Sequence, residues 1–284
     1  MEIFKIGKDL NTHIEKLKLE GSKVGFVPTM GALHGGHLSL IANAVKENNV
    51  VVVSIFVNPT QFNSPNDLEN YPRDVGSDIK ILENSACHIV FIPSVDEIYP
   101  DKDAMRKKHS FGKIVEIMEG RHRPGHFDGV AMVVSRLFKI VIPNNAYFGQ
   151  KDFQQFILIK TLANKYLSDL YINVICCPII REKDGLAMSS RNVLLNVGQR
   201  KSAALISKIL FEAKNIYHNN SVIELKEKIK TAINGDKNLK IEYIEIVSDP
   251  DLNEIKQWDD DQKMVACIAV QVGNVRLIDN VYFN

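Results

Sequence analysis

Two histidines, His34 and His37, lie three residues apart in the segment 28–37, which reads Pro-Thr-Met-Gly-Ala-Leu-His-Gly-Gly-His. An apolar stretch typical of a strand (24–27) precedes this segment, and apolar residues at helical spacing follow it. The histidines therefore fall where a strand turns into a helix. The start of a helix, with its free N–H groups and partial positive charge, favours phosphate. Imidazoles placed there can stabilise negative charge that develops on a phosphorus centre, so the segment predicts a nucleotide-binding turn.

A basic loop at 121–127 holds two further histidines, His122 and His126. Together with His34 and His37 they could form a metal site. That alternative is disfavoured because no Cys or carboxylate flanks the first pair at ligand spacing. The loop itself is consistent both with an anion-binding flap and with a surface turn, and the sequence leaves its role open.

A polar segment far downstream, 181–191, ends in Met188, Ser189, Ser190 and Arg191. Two hydroxyl groups and a guanidinium can surround a triphosphate, and the guanidinium offers a bidentate donor fork. The segment also contains an Asp-Gly pair typical of a flexible turn. These features indicate a mobile phosphate-binding loop, about one Rossmann-sized domain after the histidines.

Two shorter polar segments, 58–62 (Asn-Pro-Thr-Gln-Phe) and 149–152 (Gly-Gln-Lys-Asp), each follow a predicted strand. The first mixes amide donors and acceptors with an apolar ring, which suits a small polar molecule that has an apolar part, although an ordinary Asn-Pro turn would look alike. In the second, Lys151 could bind a phosphate and Asp152 could accept hydrogen bonds from a ribose. Asp152 could equally be a helix N-cap. Gln155 follows three residues later, so on that helix it points the same way as Asp152.

The elements that must position these residues alternate between apolar strands and helical patterns through the first 180 residues. This alternation predicts a doubly wound, Rossmann-like α/β domain with a parallel sheet. The apolar run 50–57 has the pattern of a strand buried on both faces. Ligands of such sheets bind beyond the carboxyl ends of the strands, which is where the polar segments 28–37, 58–62 and 149–152 lie.

The alternation of strand and helix patterns ends after about residue 182. Two helical stretches are followed by three strand-like segments, the last two joined by a Gly-Asn pair typical of a hairpin. We therefore expect a ligand-binding α/β domain over residues 1–182 and a smaller C-terminal α+β domain over residues 183–284. The segment 181–191 lies at their join, where a lid would be useful.

Composition argues against several classes of protein. The 284 residues include 35 Lys and Arg against 34 Asp and Glu, so no basic surface for nucleic acid is indicated. No apolar run reaches membrane-spanning length, and the first residues do not resemble a signal peptide. Four cysteines without a Cys-x-x-Cys pair favour a reduced cytoplasm. The motifs of P-loop ATPases, Rossmann dehydrogenases, serine hydrolases and zinc proteases are missing.

The histidine segment resembles the nucleotide signature of the adenylate-forming HIGH superfamily, and Met188 to Arg191 resembles the partner loop found in class I aminoacyl-tRNA synthetases. The chain as a whole resembles the pantoate–β-alanine ligase (pantothenate synthetase) family more specifically. Six motifs, at 27–37, 57–62, 67–74, 123–130, 148–152 and 181–192, occur in the family's order. The departures are small: Gly35 stands where the family often has a larger residue, and Gln150 where a charged one is common.

The resemblance implies an ATP-dependent, two-step reaction. The carboxylate of pantoate attacks the α-phosphate of ATP, which gives pantoyl adenylate and pyrophosphate, and the amine of β-alanine then displaces AMP to give pantothenate. Because the nucleophile is already ionised, no catalytic Ser or Cys is needed, and positioning and charge stabilisation carry the catalysis. The resemblance further implies Mg²⁺ to offset phosphate charge, no protein-borne metal site, and a homodimer.

The same resemblance implies site residues. Catalytic roles fall to His34, His37 and Lys151, with His37 a candidate proton donor. The residues implied to bind ATP are Met30, Gly31, Ala32, Leu33, His34, Gly35, Gly36, His37, Gly149, Gln150, Lys151, Asp152, Ile180, Met188, Ser189, Ser190 and Arg191. The resemblance also implies residues that bind pantoate. Gln61 and Gln155 would bind the hydroxyl and carboxylate groups of pantoate, and Pro28, Met30 and Phe62 would contact its gem-dimethyl group. Asn58 belongs to the same set.

Three rival functions remain. A nucleotidyltransferase of the same superfamily would more readily meet its phosphate acceptor with Arg or Lys than with the Gln61 and Gln155 pair. A tRNA-charging enzyme would need a basic anticodon-binding domain, which this short and nearly neutral chain lacks. A nucleotide-binding regulator without turnover would have no need of His34, His37 and Lys151. Release of AMP and pyrophosphate that depends on both pantoate and β-alanine would separate all of them.

Overall fold

The structure, a computed structural model, describes residues 1–100 and 109–284. The chain forms two compact units. The first comprises residues 1–149 and 155–178, and the second comprises residues 150–154 and 179–284. Within the described residues, none of the helices combines the length and the apolar character that a membrane span requires.

A six-stranded parallel sheet forms the centre of the first unit. Its strands are β1 (Glu2–Phe4), β2 (Val24–Thr29), β3 (Val50–Ile55), β4 (Ile89–Phe91), β5 (Asn145–Gly149) and β6 (Asn173–Cys177). Their order across the sheet is β1-β4-β3-β2-β5-β6. β3 is buried at every position because it is apolar on both faces. The order of the strands reverses beside β2, and such a reversal is the place where ligands bind in an open parallel sheet.

The helices of the first unit connect these parallel strands. They are α1 (Gly7–Leu19), α2 (Gly35–Glu47), α3 (Pro65–Glu69), α4 (Val75–Glu83), α5 (Val95–Ile98), α6 (Met118–His122), α7 (His126–Val141) and α8 (Phe153–Tyr166), the last beginning in the second unit. One core cluster packs α2 against the sheet through Leu40, Ile41 and Ala44. The parallel sheet and its connecting helices confirm the predicted α/β class.

β2 and β5 separate at their carboxyl ends. The two strands pair only at Gly25 with Asn145 and at Phe26 with Ala146. Over the same stretch β2 stays paired with β3 as far as Thr29. β2 and β5 thus open a gap at the edge where the polar segments were expected, and backbone groups on either side of it can turn toward a ligand.

The second unit has its own core. It contains α9 (Val197–Ile216), α10 (Val222–Asn234) and an antiparallel sheet of β7 (Leu239–Ser248), β8 (Met264–Val272) and β9 (Val275–Tyr282), in that order. β8 is the central strand and is almost wholly buried. The turn at 273–274 joins β8 to β9, and Gly273 adopts the positive φ of 58° that such a tight turn needs. This arrangement confirms the predicted α+β character of the C-terminal part.

Candidate active site

The turn between β2 and α2 is a strained backbone held by a buried carboxylate. Gly31 and Ala32 have φ angles of 78° and 48°, in the left-handed region. Asp78 of α4 accepts hydrogen bonds from the N–H groups of Ala32 (2.9 Å) and Leu33 (2.7 Å), and it is only 2% exposed. A side chain at Gly31 would lie 2.8 Å from the Asp78 carboxylate, so glycine is required there. Asp78 thereby sets the path of the chain into His34.

Sequence reasoning missed Asp78. The helical spacing of Val75, Ile79 and Leu82 predicts that these three form the apolar stripe of α4, but the structure exposes Val75 and buries Asp78 beside Leu82. The available signal was a carboxylate four residues before a buried Leu, on the face of the helix that packs against the sheet. A charged side chain on that face needs partners of its own, and the two N–H groups of the turn supply them.

Replacing Asp78 with Asn is expected to destabilise the fold by about 1–3 kcal/mol. The amide oxygen can accept only one of the two hydrogen bonds, and the NH₂ group of Asn would face the other backbone N–H, which is also a donor. The measurement is the thermal unfolding midpoint, which should fall by several degrees. Asp74→Asn is the matched control. Asp74 is the exposed N-cap of the same helix, and Asn can still accept from the Ser77 N–H. Equal midpoints for the two variants would contradict the bracing role of Asp78.

His34 and His37 cap α2 with their imidazoles. Nδ1 of His34 accepts from the N–H of Gly36 (3.1 Å), and Nδ1 of His37 accepts from the N–H of His34 (3.3 Å). Because each Nδ1 accepts, the proton of each neutral ring is on Nε2. The ring centroids are 4.1 Å apart. The cap therefore fixes the tautomer of both rings and leaves Nε2–H as the donor that each ring carries at the start of the helix.

Gln61 follows β3 in a short 3₁₀ turn, and its orientation is set by Asn58. Nδ2 of Asn58 donates to Oε1 of Gln61 (3.1 Å), which leaves the amide NH₂ of Gln61 on its other side, 2.8 Å from the sulfur of Met30. Asn58 is 1% exposed, and it also donates to the carbonyl of Gly129 and accepts from the hydroxyls of Thr60 and Tyr99. The Asn58 amide is thus fully engaged within the protein.

The loop 121–127 contacts the 3₁₀ turn that carries Gln61. His126, the first residue of α7, lies 2.8 Å through Nδ1 from the carbonyl of Gln61, and since a carbonyl only accepts, Nδ1 carries the proton. Nε2 lies 3.1 Å from the guanidinium of Arg123 and accepts from it. A side chain at Gly129 would collide with the carbonyl of Thr60, so glycine lets α7 approach the turn. The loop therefore packs α7 against the segment that carries Gln61.

The other candidate residues of the first unit lie on or directly after its strands and helices. Phe62 packs edge-on against Tyr71, with ring centroids 5.5 Å apart, and so forms an apolar surface beside Gln61. Gly149 is the last residue of β5, and Gln155 is half-buried in the first turn of α8. Pro28 lies in β2. The structure thus brings Gln61 into direct contact with both Met30 and Asn58, and it places Gly149 at the edge where β2 and β5 separate.

The other candidates belong to the second unit. Gln150, Lys151 and Asp152 form a 3₁₀ turn ahead of α8. The Lys151 side chain is four-fifths buried, with Nζ 3.9 Å from the carboxylate of the half-exposed Asp152. Because water screens the Lys151 ammonium group little, its positive charge can attract an anion such as a phosphate.

The segment 181–191 begins as a closed turn rather than a loose one. The N–H groups of Glu182 and Met188 donate to the carbonyls of Leu186 and Ile180, at 2.8 and 2.9 Å, and Gly185 takes the left-handed φ of 91° at the tip. Asp184, in the Asp-Gly pair expected to be flexible, instead forms a bidentate pair with Arg200, which holds the pKa of Asp184 below its ordinary value.

A 3₁₀ helix from Ser190 to Leu194 follows this turn. Ser189 is its N-cap and accepts from the N–H of Arg191 (3.3 Å). Asn192 donates to the carbonyl of Ala187 (3.1 Å), which links the 3₁₀ helix to the end of the preceding turn. Ser190 and Arg191 are half-buried. Ser189, Ser190 and Arg191 therefore lie together on one short turn.

Known proteins resemble this chain along its whole length. The family model described as pantoate-beta-alanine ligase matches residues 2–282. The pantothenate synthetase of Porphyromonas gingivalis strain W83 is 46% identical over 283 residues, which cover 100% of this chain and 99% of that protein. The crystal structure of pantothenate synthetase from Thermus thermophilus has a TM-score of 0.91 at 36% identity, covering 100% of this chain and 99% of the other.

A third similar structure carries ligands. The pantoate-beta-alanine ligase of Francisella tularensis, described as complexed with beta-gamma ATP and beta-alanine, has a TM-score of 0.81 at 38% identity, covering 100% of this chain and 98% of the other. Similarity of this extent spans both compact units.

Proposed function

The chain belongs to the pantoate–β-alanine ligase family, and we propose that it condenses pantoate with β-alanine to pantothenate through a pantoyl adenylate. In the first step the pantoate carboxylate forms a bond to the α-phosphorus of ATP, and the bond to pyrophosphate breaks. In the second step the amine of β-alanine attacks the acyl carbon, loses a proton, and AMP leaves. The ligand pair in the Francisella tularensis relative supports ATP and β-alanine as substrates.

The pair of imidazoles at the start of α2 is the observation that supports the first step best. Negative charge grows on the α-phosphate oxygens as the carboxylate attacks. Two rings that already accept at Nδ1 carry their protons on Nε2, so they stabilise this charge without reorganising. We propose His34 and His37 as the catalytic donors, with His37 the proton donor, and Lys151 as the cation that holds phosphate oxygens.

The remaining roles extend the proposal to the binding residues. We propose that the Gln61 amide, with its NH₂ oriented by Asn58, donates to pantoate, and that Gln155 contributes a second amide. Pro28, Met30 and Phe62 would contact the gem-dimethyl group. Asn58 then acts through Gln61 and not by touching pantoate, because its own amide is fully engaged.

Nucleotide binding is proposed for backbone and side chains of three segments. These are Met30 to His37 in the β2–α2 turn, Gly149 to Asp152 after β5, and Ile180 with Met188 to Arg191. Gly149 and Asp152 would hold the ribose, and Ile180 would contact adenine through its backbone. We further propose that residues 1–182 carry the substrate sites and residues 183–284 the lid, in a homodimer that works in the cytoplasm.

Mg²⁺ is the remaining group that the resemblance implies. Within residues 1–100 and 109–284, no three His, Cys, Asp or Glu side chains gather closely enough to hold a metal ion. We propose that Mg²⁺ is carried by the nucleotide, since that ion keeps its waters and binds mainly through phosphate oxygens. It would offset phosphate charge, and no protein step is assigned to it.

The test of the function is the stoichiometry of the products. Pyrophosphate release and pyrophosphate–ATP exchange should require pantoate alone, and AMP release should require pantoate and β-alanine together. Steady AMP release with a phosphate ester in place of pantoate would instead indicate a nucleotidyltransferase. ATP binding without any pantoate-dependent exchange would indicate a regulator, and either result overturns the proposal.

Arg191→Ala is expected to slow the formation of pantoyl adenylate by about 10-fold or more, because a bond between a guanidinium and a phosphate contributes about 1.5–3 kcal/mol. Pyrophosphate has left before β-alanine attacks, so the second step on preformed adenylate should change much less. Single-turnover measurement of both half-reactions decides this. Since the turn 182–186 is closed and paired, we place the moving part of the lid after Ala187.

Lys208→Ala on the exposed face of α9 is the control for Arg191, because it removes a cation from the same unit, one that lies 3.9 Å from Glu212 on its own helix. Both half-reactions should keep their rates in that variant. Equal damage to both half-reactions in Arg191→Ala would mean that Arg191 shapes the whole site, and the lid proposal would fail.

A further inference from the structure

Two consecutive residues of β9, Asp279 and Asn280, are buried polar groups that the sequence analysis did not single out. They are 3% and 2% exposed. Buried polar side chains need partners, so the groups they bind indicate what they hold in place. Both hold segments that we propose to bind ATP, so their role rests on that proposed function.

Asn280 fixes the backbone of the turn that carries Lys151. Its Nδ2 donates to the carbonyls of Gln150 (2.9 Å) and Lys151 (3.0 Å), and its Oδ1 accepts from Nε2 of Gln150 (3.0 Å). Both amide protons and the amide oxygen are therefore used on two adjacent residues. This is why residues 150–154 belong to the second compact unit although β5 and most of α8 belong to the first.

Asp279 holds the base of the second ATP segment. It accepts both arms of the Arg181 guanidinium, at 2.7 and 2.9 Å, and Arg181 also donates to the carbonyl of Gly185 (3.1 Å). The same carboxylate accepts from the N–H of Asn280 (2.8 Å). The closed turn that leads into Met188 is thus tied to the residue that carries the Asn280 amide.

We propose that Asp279 and Asn280 are positioning residues for the adenylate-forming step, which fix Lys151 and the turn 181–186 from which the segment 188–191 extends. Neither side chain touches substrate. Asn280 places the backbone of Lys151, and Asp279 places the turn before Met188, so that cation, hydroxyls and guanidinium meet a triphosphate in the same geometry. A displacement of about 1 Å in such groups lowers rates by about 10²-fold, so two buried anchors have a large effect.

The test replaces Asn280 with Asp, which keeps the size of the side chain and turns both donors into an oxygen that faces two carbonyls. Formation of pantoyl adenylate should slow by about 10-fold or more, with a higher apparent KM for ATP. Attack of β-alanine on preformed adenylate should stay within about twofold of the unsubstituted rate. Asn280→Ser removes the amide without setting a carboxylate against the two carbonyls, so its loss should be smaller, and it serves if Asn280→Asp does not fold.

A double-mutant cycle with Lys151→Ala separates positioning from loss of packing. If Asn280 acts through Lys151, Asn280→Ser should slow adenylate formation much less in the Lys151→Ala background than in the unsubstituted chain. Glu242→Gln is the matched control, because it removes an ion pair with Arg276 of the same strand, away from both segments. That variant should retain both half-reactions.

Four outcomes overturn the positioning role, and one of them overturns the proposed function as well. Additive effects of Asn280→Ser and Lys151→Ala, or equal slowing of both half-reactions in Asn280→Asp, would overturn the positioning role and leave the proposed function intact. Absence of pantoate-dependent exchange in the unsubstituted chain would overturn the proposed function and the positioning role with it. Loss of adenylate formation in Glu242→Gln would also contradict the inference, since any perturbation of β9 would then suffice.

Discussion

Replacing either His34 or His37 with Asn is expected to slow formation of pantoyl adenylate by about 10² to 10³, the loss for one transition-state donor. The amide oxygen of Asn takes the place of Nδ1 and still accepts the backbone N–H, so the cap of α2 remains. The donor at Nε2 is gone. Single-turnover release of pyrophosphate measures the rate, and the thermal midpoint should stay close to that of the unsubstituted chain.

The Gln variants are the reciprocal control. Gln places an amide NH₂ near the position of Nε2 but has no acceptor at the position of Nδ1. His34→Gln and His37→Gln should therefore lower the thermal midpoint, because losing a helix cap removes about 0.5–2 kcal/mol, and they should retain more activity than the Asn variants. The reverse ranking, with active Asn variants and inactive Gln variants, would show that the imidazoles matter only as caps.

Replacing Gln61 with Glu is expected to raise the KM for pantoate by about 10²-fold and to change the KM for ATP by less than about threefold. Asn58 holds Oε1 of Gln61, so the NH₂ group is the part that meets the ligand. A carboxylate there removes the donor and repels the carboxylate of pantoate. Steady-state kinetics with each substrate varied in turn measures both constants.

Asn66→Asp is the control for the charge. It adds the same negative charge on the exposed face of α3, and its oxygen can still accept from Asn70. Pantoate binding should stay unchanged in that variant. If Gln61→Glu altered only the KM for ATP, Gln61 would belong to the nucleotide site and the pantoate assignment would fail.

Residues whose signal lies within a short stretch of chain could be predicted from the sequence. The β2–α2 turn was recognised because its glycines and histidines lie together between a strand pattern and a helix pattern. β3 was recognised by its unbroken apolar run, although the strand ends at Ile55 and not at Val57. The family match confirms the ligase activity inferred from these motifs.

Elements with weak local signals were missed. α1 has only Leu10 and Ile14 as large buried side chains, and its N-cap, Ile6, makes no side-chain cap. β1 has three residues, and it lies at the edge of the sheet. α1 does carry apolar residues at helical spacing, Leu10, Ile14 and Leu17, but no N-cap signal marks its start. β1 is too short to show a period, and it forms by pairing with β4.

Residues that act over long sequence separations were also missed. Asp78 holds a turn more than 40 positions before it, and Asn280 holds residues about 130 positions before it. Nothing beside them in the chain indicates these partners. A single sequence could place Asp78 on the packed face of its helix, but only the fold shows that its carboxylate binds two N–H groups and that the Asn280 amide binds two carbonyls.

The path of the chain has a consequence for work with fragments. The polypeptide enters the second unit at residue 150, leaves after residue 154 and returns at residue 179. A recombinant piece that starts at the predicted boundary, residue 183, would lack residues 150–154 and Arg181. It would leave the Asp279 carboxylate without Arg181 and the buried Asn280 amide without the groups that it binds. A stable fragment of this unit would need residues 150–154 supplied separately or fused through a linker, as in a circular permutant.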